Sequence, residues 1–94
     1  MEASKSDIVV SLAGRDQGKL FYVIGTEGVY VLIANGKDRT LEHPKRKKQK
    51  HVQRVTRLDS RVADKIENGE RVLNSELRRE LAAYVQQRRE DQGG

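Results

Sequence analysis

Residues 8–23 read IVVSLAGRDQGKLFYV, two apolar runs on either side of a loop with two glycines. The first run covers residues 8–12, and the second, at residues 19–25, is rich in β-branched and aromatic side chains. Both compositions are typical of short β-strands. Because Gly14 and Gly18 can adopt the positive φ angles that tight turns need, we predict two strands joined by a glycine turn.

A third strand signal follows directly. Residues 25–28 (GTEG) resemble a tight turn, and residues 29–34 (VYVLIA) have strong β propensity. The next dipeptide, Asn35-Gly36, is a strong hairpin signal. We therefore expect the third strand to end in a sharp reversal of the chain.

Two more strands are predicted before the pattern changes, a fourth at residues 39–42 and a fifth at residues 51–56. Between them, Pro44 opens a lysine-rich run that we expect to form a loop, because proline has no N–H to donate to a β-ladder. Several short strands with turns about eight to twelve residues apart indicate a small barrel or sandwich.

From residue 58 the hydrophobic period becomes helical. Asp59-Ser60 can cap a short helix that ends at Asn68-Gly69, and Asn74-Ser75 can cap a second helix. We expect the two helices to dock on the β domain, because an isolated helix of this length is marginal in water. The chain then divides into a barrel at residues 1–57, which includes a basic segment at residues 37–57, and a helical extension at residues 58–94. The stripe to be buried on the second helix is Leu77, Leu81, Tyr84 and Val85.

Composition limits the class of protein. Ninety-four residues fit one domain, too small for a large enclosed active-site cleft. With no cysteine, the chain can form neither a disulfide nor a thiolate zinc site. The longest apolar stretch, residues 29–34, is far shorter than the ~20 residues that cross a bilayer, and the start MEASKSD does not resemble a signal peptide. We therefore expect a soluble, cytoplasmic protein.

The positive charge is concentrated in one segment. Of the net charge of +5, residues 37–57 contribute +7, from nine Lys and Arg against two acids, whereas residues 1–36 and 58–94 are each −1. Such a segment is a typical binding surface for a polyanion. A solvated loop is the simpler explanation of a short charge run, but the four consecutive cations of residues 45–48 repel one another and give a loop no stability.

Residues 8–23 also resemble a KOW motif, which consists of an apolar strand, a glycine-bearing loop ending in Gly-Lys and a second apolar strand. This motif occurs in NusG-type transcription factors and in several large-subunit ribosomal proteins. The order here, a Val-x-Ser strand followed by Gly-Arg-x-x-Gly-Lys, is most similar to the KOW ribosomal proteins of eukaryotes and archaea and their small bacterial relatives. A weaker resemblance extends to about Val55 and does not reach the helices.

The resemblance implies a small SH3-like β-barrel. Together with the strand and helix patterns above, it predicts a mainly β fold of about five strands with a C-terminal extension of one or two helices. It also implies RNA binding, with ribosomal RNA or the ribosome as the expected partner and a role in translation. Gly18 would let the backbone approach a phosphate closely, and the cations around it can contact phosphates. The predicted RNA-binding residues are Arg15, Gly18, Lys19, Lys37, Arg39, Lys45, Arg46, Lys47, Lys48, Lys50, His51 and Arg54.

Such a set contacts the RNA backbone and its shape rather than its sequence. Few aromatic residues are available for base stacking, which favours structured RNA over a single strand. One of Phe21 and Tyr22 must face inward, and we expect Tyr30 to lie in the core. Ser11 either adds a hydroxyl contact or, as we expect, faces solvent.

Catalysis has little support. His43 and His51 have no third ligand of suitable type nearby, and residues 14–19 fall short of a phosphate-binding P-loop because the spacing is too short by one residue and no Ser or Thr follows Lys19. No histidine is placed to activate Ser11 as a nucleophile. We predict a protein that is not an enzyme and that needs no cofactor, metal or small-molecule substrate.

Two other functions stay open. The helices could bind a partner or a second copy, which would make the protein an interaction module, although a monomer is favoured. Alternatively, residues 44–50 (PKRKKQK) could be a nuclear localisation signal read by a transport receptor. With a localisation signal the barrel would be a protein-interaction module, and with partner-binding helices the basic loop would matter only as a solubilising element.

Overall fold

Five strands are followed by two helices. The computed structural model describes residues 2–93, with side chains described for residues 2–89. The strands are β1 (Ile8–Ser11), β2 (Leu20–Glu27), β3 (Tyr30–Ala34), β4 (Lys45–Lys48) and β5 (Val52–Thr56), with a 3-10 turn at Gln49–His51. The helices are α1 (Arg61–Glu67) and α2 (Asn74–Gly93).

All strand pairs are antiparallel, in the order β4-β3-β2-β1-β5. The last strand returns to the first, so β1 pairs with both β2 and β5. The predicted fold class, a small mainly β barrel-like domain with a C-terminal helical extension, is confirmed.

The sheet buries side chains on both faces, since neighbouring strand residues point to opposite sides. Val9, Phe21 and Ile33 belong to one core cluster, the interior cluster. Ile8, Tyr22 and Ala34, their neighbours in sequence, belong to a second, the helix-covered cluster. Because both faces are filled, Phe21 and Tyr22 are both fully buried, and neither is available to stack on an RNA base.

The two helices cover the second face of the sheet. Ser60 caps α1 as predicted, accepting a hydrogen bond from the Ala63 N–H at 3.1 Å. Leu77 and Leu81 of α2 are buried with the side chains of the helix-covered cluster, and the Tyr22 hydroxyl donates to Glu80 at 3.2 Å. The predicted docking of the apolar helical stripe on the same chain is therefore confirmed for Leu77, Leu81 and Tyr84, whereas Val85 is half-buried outside this cluster.

The second strand is longer than predicted. Gly25 lies inside β2, where the pairing with β3 shifts register between Val23 and Gly25. A glycine inside a strand commonly marks such an irregularity, because it has no side chain to pack. The turn comes at Gly28, whose φ is 61°, so the first glycine of GTEG was wrongly assigned to the turn.

The fourth strand was also wrongly placed. Residues 39–42 form a loop, and the strand is the lysine run itself, β4, which pairs with β3 from Ile33↔Lys45 to Tyr30↔Lys48. Pro44 lies immediately before this strand, where its missing N–H interrupts no ladder bond. The mutual repulsion of the lysines is relieved because successive side chains leave opposite faces of the strand.

Candidate nucleic-acid interface

The first loop, residues 12–19, is a glycine turn closed by backbone hydrogen bonds. The Gly18 N–H donates to the Ser11 carbonyl at 2.8 Å, and the φ of Gly18 is +85°, as its predicted role requires. A Cβ at Gly18 would meet no atom within 4 Å, so its backbone angle, not its surroundings, favours glycine. Ser11 neither faces solvent nor is open to a ligand: it is 1% exposed, and its hydroxyl donates to the Ala13 carbonyl.

Two ion pairs join the first loop to the second loop, residues 35–44. Arg39 contacts the carboxylate of Asp16 at 3.0 Å, and Lys19 contacts Asp38 at 3.2 Å. Asp16 is buried, so the Arg39 contact supplies a charge partner where water cannot. Hydrogen bonds, first from Lys19 and then from Asn35, lower the pKa of Asp38 below its ordinary value.

Asn35 organises the second loop. Its side-chain oxygen accepts hydrogen bonds from the N–H groups of Lys37 and Arg39, at 3.0 and 3.1 Å. Asn35-Gly36 therefore begins a longer loop rather than a two-residue hairpin turn. An Asn side chain that binds backbone N–H groups in this way stabilises a turn locally.

The two loops and the start of β4 lie at one end of the sheet. The first loop leads into β2, the second leaves β3, and Tyr22 of β2 pairs with Ala34 of β3. Lys45 begins β4 opposite Ile33 at this same end. The cations gathered here form what we call the loop-end cluster: Arg15, Lys19, Lys37, Arg39 and Lys45.

The cations of the loop-end cluster differ in whether an acidic side chain already pairs with them. Lys19 and Arg39 are held by acids of the neighbouring loop. Arg15, Lys37 and Lys45 form no ion pair with any side chain among residues 2–89, and Arg15 and Lys37 are exposed. The cluster therefore offers three cations, the exposed Arg15 and Lys37 and the half-buried Lys45, that no described side chain pairs with, on two loops that ion pairs hold together.

Lys47 is the predicted site residue that the structure turns inward. It pairs with Val31, a residue of the interior cluster, and its side chain leaves β4 on the same face. Only 9% of Lys47 is exposed, and its ammonium donates to the Ala13 carbonyl at 2.7 Å. Lys47 thus ties β4 to the first loop and cannot reach a phosphate from this position.

Three further predicted residues form a separate edge cluster: Arg46, Lys48 and Lys50. Arg46 stacks over the half-buried ring of Tyr30 at 3.8 Å and lies 3.5 Å from Glu27, so Tyr30 is not in the core as we expected. Strand β4 is at one end of the strand order, and charged side chains on an edge strand discourage pairing with another chain. The position of the edge cluster on an edge strand thus explains its positive charge without an RNA ligand.

The remaining predicted residues lie on or near β5. Arg54 contacts the buried carboxylate of Asp7 at 3.2 Å, and Arg57 approaches the same carboxylate at 3.5 Å. Asp7 precedes β1, whereas the first loop follows it, so Arg54 lies away from the loop-end cluster. His51 is half-buried, and its carbonyl accepts from the Leu12 N–H at 2.8 Å.

Helix α2 lies beside the loop-end cluster, which the sequence did not reveal. Arg78 donates to the Gly36 carbonyl at 2.5 Å, and Asn74 accepts from the Leu41 N–H at 2.8 Å. The net charge of the helical segment concealed this, because acids elsewhere in it offset arginines such as Arg78 and Arg89. The arginines of α2 lie at helical spacing around an alanine and a valine. This pattern could have indicated that one face of α2 lies beside the cluster.

Within residues 2–93, no helix is both long and apolar enough to cross a membrane. Among the side chains of residues 2–89, no three of His, Cys, Asp or Glu converge as metal ligands would. Comparison with protein-family models and with curated proteins finds no match to this chain.

Proposed function

We propose that this protein is a cytoplasmic RNA-binding protein of KOW type that contacts structured RNA, with ribosomal RNA the expected target, through the loop-end cluster. The observation that carries the proposal is the convergence of the first loop, the second loop and Lys45 at one end of the sheet. Cations that form no ion pair with the described side chains add little to the stability of a fold, but they are what a phosphate backbone binds.

The proposed roles divide within the cluster. Arg15, Lys37 and Lys45 contact phosphates, whereas Lys19 and Arg39 hold the two loops together through Asp38 and Asp16. Phosphate contacts fix the orientation of a protein on RNA but carry no sequence information. Recognition would therefore depend on RNA shape, as expected for a folded RNA such as that of the ribosome.

The interaction-module alternative has no observation in its favour. It depends on an apolar helical stripe that is free to bind a partner, but Leu77 and Leu81 are buried against the sheet of the same chain. We expect the protein to act as a monomer in translation, without catalysis.

The test is the salt dependence of binding to a folded ribosomal RNA fragment. Each phosphate contact contributes about 0.7–0.9 to the slope of log K against log[salt]. The triple variant Arg15→Gln, Lys37→Gln, Lys45→Gln should therefore bind more weakly, with a slope reduced by about 2–3. Fluorescence anisotropy titrations at several salt concentrations would measure both quantities.

A matched control removes the same charge from another surface. Arg61, Arg71 and Arg79 are exposed and lie in or between the helices, and changing all three to Gln should leave the slope unchanged. If the two triple variants lose the same affinity, the RNA is held by net charge alone and not by the loop-end cluster. If the parent protein does not bind folded RNA at all, the proposed function is wrong.

A further inference from the structure

A groove of about 590 Å³ lies between the two loops and helix α2. This volume falls within the ~300–1,000 Å³ range that is usual for small-ligand sites. Leu20, Leu81 and Val85 line it and are buried or half-buried, whereas Lys37 and Arg89 also line it and are exposed. The groove therefore combines an apolar surface with cations next to it, and the carboxylate of Asp38, which also lines it, is paired with Lys19.

Both walls of the groove are fixed by hydrogen bonds and ion pairs. On one side, Arg78 of α2 donates to the Gly36 carbonyl, and Leu41 donates to the side chain of Asn74. On the other side, the Lys19–Asp38 pair joins the second loop to the first. A groove with both walls tied in this way exists before a ligand arrives, which lowers the cost of binding.

Helix α2 supplies one complete wall. Arg78, Ala82, Val85 and Arg89 follow one another at the spacing that places residues on one helical face. Three of them, Ala82, Val85 and Arg89, line the groove. The wall thus has small and apolar side chains toward its middle and an arginine toward the C-terminal end.

Such a lining fits a ligand with a flat apolar body and an attached negative charge. We infer that the groove receives one unpaired nucleotide of the bound RNA, with its base against Leu20, Ala82 and Val85 and its phosphate near Lys37 and Arg89. This inference rests on the proposed function, because the RNA held by the loop-end cluster brings the nucleotide to the groove. Unpaired bases are accessible in folded RNA, and apolar packing against a base is tolerant of its identity.

The test compares two RNA probes on the full-length protein: a fully paired duplex, and the same duplex with a single bulged 2-aminopurine. We expect the parent protein to bind the bulged probe about tenfold more tightly, and the 2-aminopurine fluorescence to change as the base enters the groove. The variant Ala82→Glu places a carboxylate in the groove and should abolish both the preference and the fluorescence change.

Ala83→Glu is the matched control. Ala83 is also exposed on α2, but it lies about 100° further round the helix and does not line the groove. Both variants add one negative charge, so their affinities for the paired duplex should fall equally, and only Ala82→Glu should lose the preference for the bulge. The melting temperatures of the two variants are compared first. Arg89→Gln should reduce the preference several-fold and provides a second test if Ala82→Glu is unstable.

Two results would overturn the inference while leaving the proposed function intact. One is a parent protein that binds the paired and bulged probes equally, and the other is an Ala82→Glu variant that behaves like Ala83→Glu on the bulged probe. A parent protein that binds neither probe would overturn the proposed function together with the groove site.

Discussion

The two loops and strand β4 carry the same kinds of cation, but they hold them differently. In the loops, Lys19 and Arg39 are tied to acids of the opposite loop, and Arg15 and Lys37 stay exposed beside them. In β4, alternation places Lys45 and Lys47 on the interior face, where Lys47 is buried and Lys45, at the start of the strand, is half-buried, while Arg46 and Lys48 stay outside. Strand register, more than the local density of positive charge, therefore determines which lysine can reach a ligand.

The largest expected effect on stability comes from a substitution in the second loop where it contacts α2. A Cβ at Gly36, whose φ is +78°, would lie 2.2 Å from the Asn74 carbonyl oxygen. Gly36→Val should therefore lower the free energy of unfolding by about 2–6 kcal/mol, from backbone strain and overpacking together. Gly18→Val adds strain in open space and should cost about 1–3 kcal/mol. Chemical denaturation would measure both, and a Gly36 variant no less stable than the Gly18 variant would show that α2 does not press on the second loop.

A smaller effect on stability is expected in β4, where Lys47 and Lys48 lie on opposite faces of the strand. Lys47→Ala removes the donor to the Ala13 carbonyl and the packing of a buried aliphatic stem, so it should cost about 1–3 kcal/mol. Lys48→Ala changes an exposed side chain and should stay within about 0.5 kcal/mol of the parent. Thermal unfolding followed by circular dichroism distinguishes them, because each kcal/mol shifts the melting temperature by about 4–8 °C in a domain of this size. Equal melting temperatures would contradict the structural role of Lys47.

The smallest effect concerns pH and the exposed Lys19–Asp38 pair. The pKa of Asp38 is lowered in the folded state, so the pair stabilises the protein above the unfolded-state pKa of about 3.9. This contribution is lost as the pH falls through the lower folded-state pKa. Urea midpoints of the parent and of Asp38→Asn should therefore differ slightly at neutral pH and converge in acid. A difference that grows toward low pH would show that Asp38 does not gain its partner on folding.

Most of the fold was predictable because its signals are local. The apolar runs before and after the first loop, the Ser60 cap and the helical spacing of Leu77 and Leu81 each specify an element from a few neighbouring residues. Strand β4 was not predictable in this way, since KRKK has a low intrinsic β propensity and forms a strand only because Val31 and its neighbours offer a partner. Propensity reports what a segment prefers alone, whereas pairing depends on what lies beside it.

The candidate site was predictable in part for the same reason. The glycine turn and the cations of the first loop follow from residues 14–19, and the positive φ of Gly18 agrees with the prediction. The inward turn of Lys47 and the pairing of Arg54 with Asp7 involve residues far apart in the chain, so the run of charges could not reveal them. The wall formed by α2 also depends on tertiary packing, since its contacts reach across to Gly36 and Leu41.

The pairing of the first strand with the last has a consequence for how the chain is made. Val9 pairs with Arg54, and the face that carries Ile8 is covered only when Leu81 is in place. At a synthesis rate of about 5–20 residues per second, about 4–15 s pass between the addition of Ile8 and that of Leu81. During that interval the nascent chain exposes an unpaired strand edge and an apolar face, both of which invite aggregation. Folding of this domain to its final state therefore waits until Leu81 has been added, and a chaperone that binds nascent chains would have that interval in which to act.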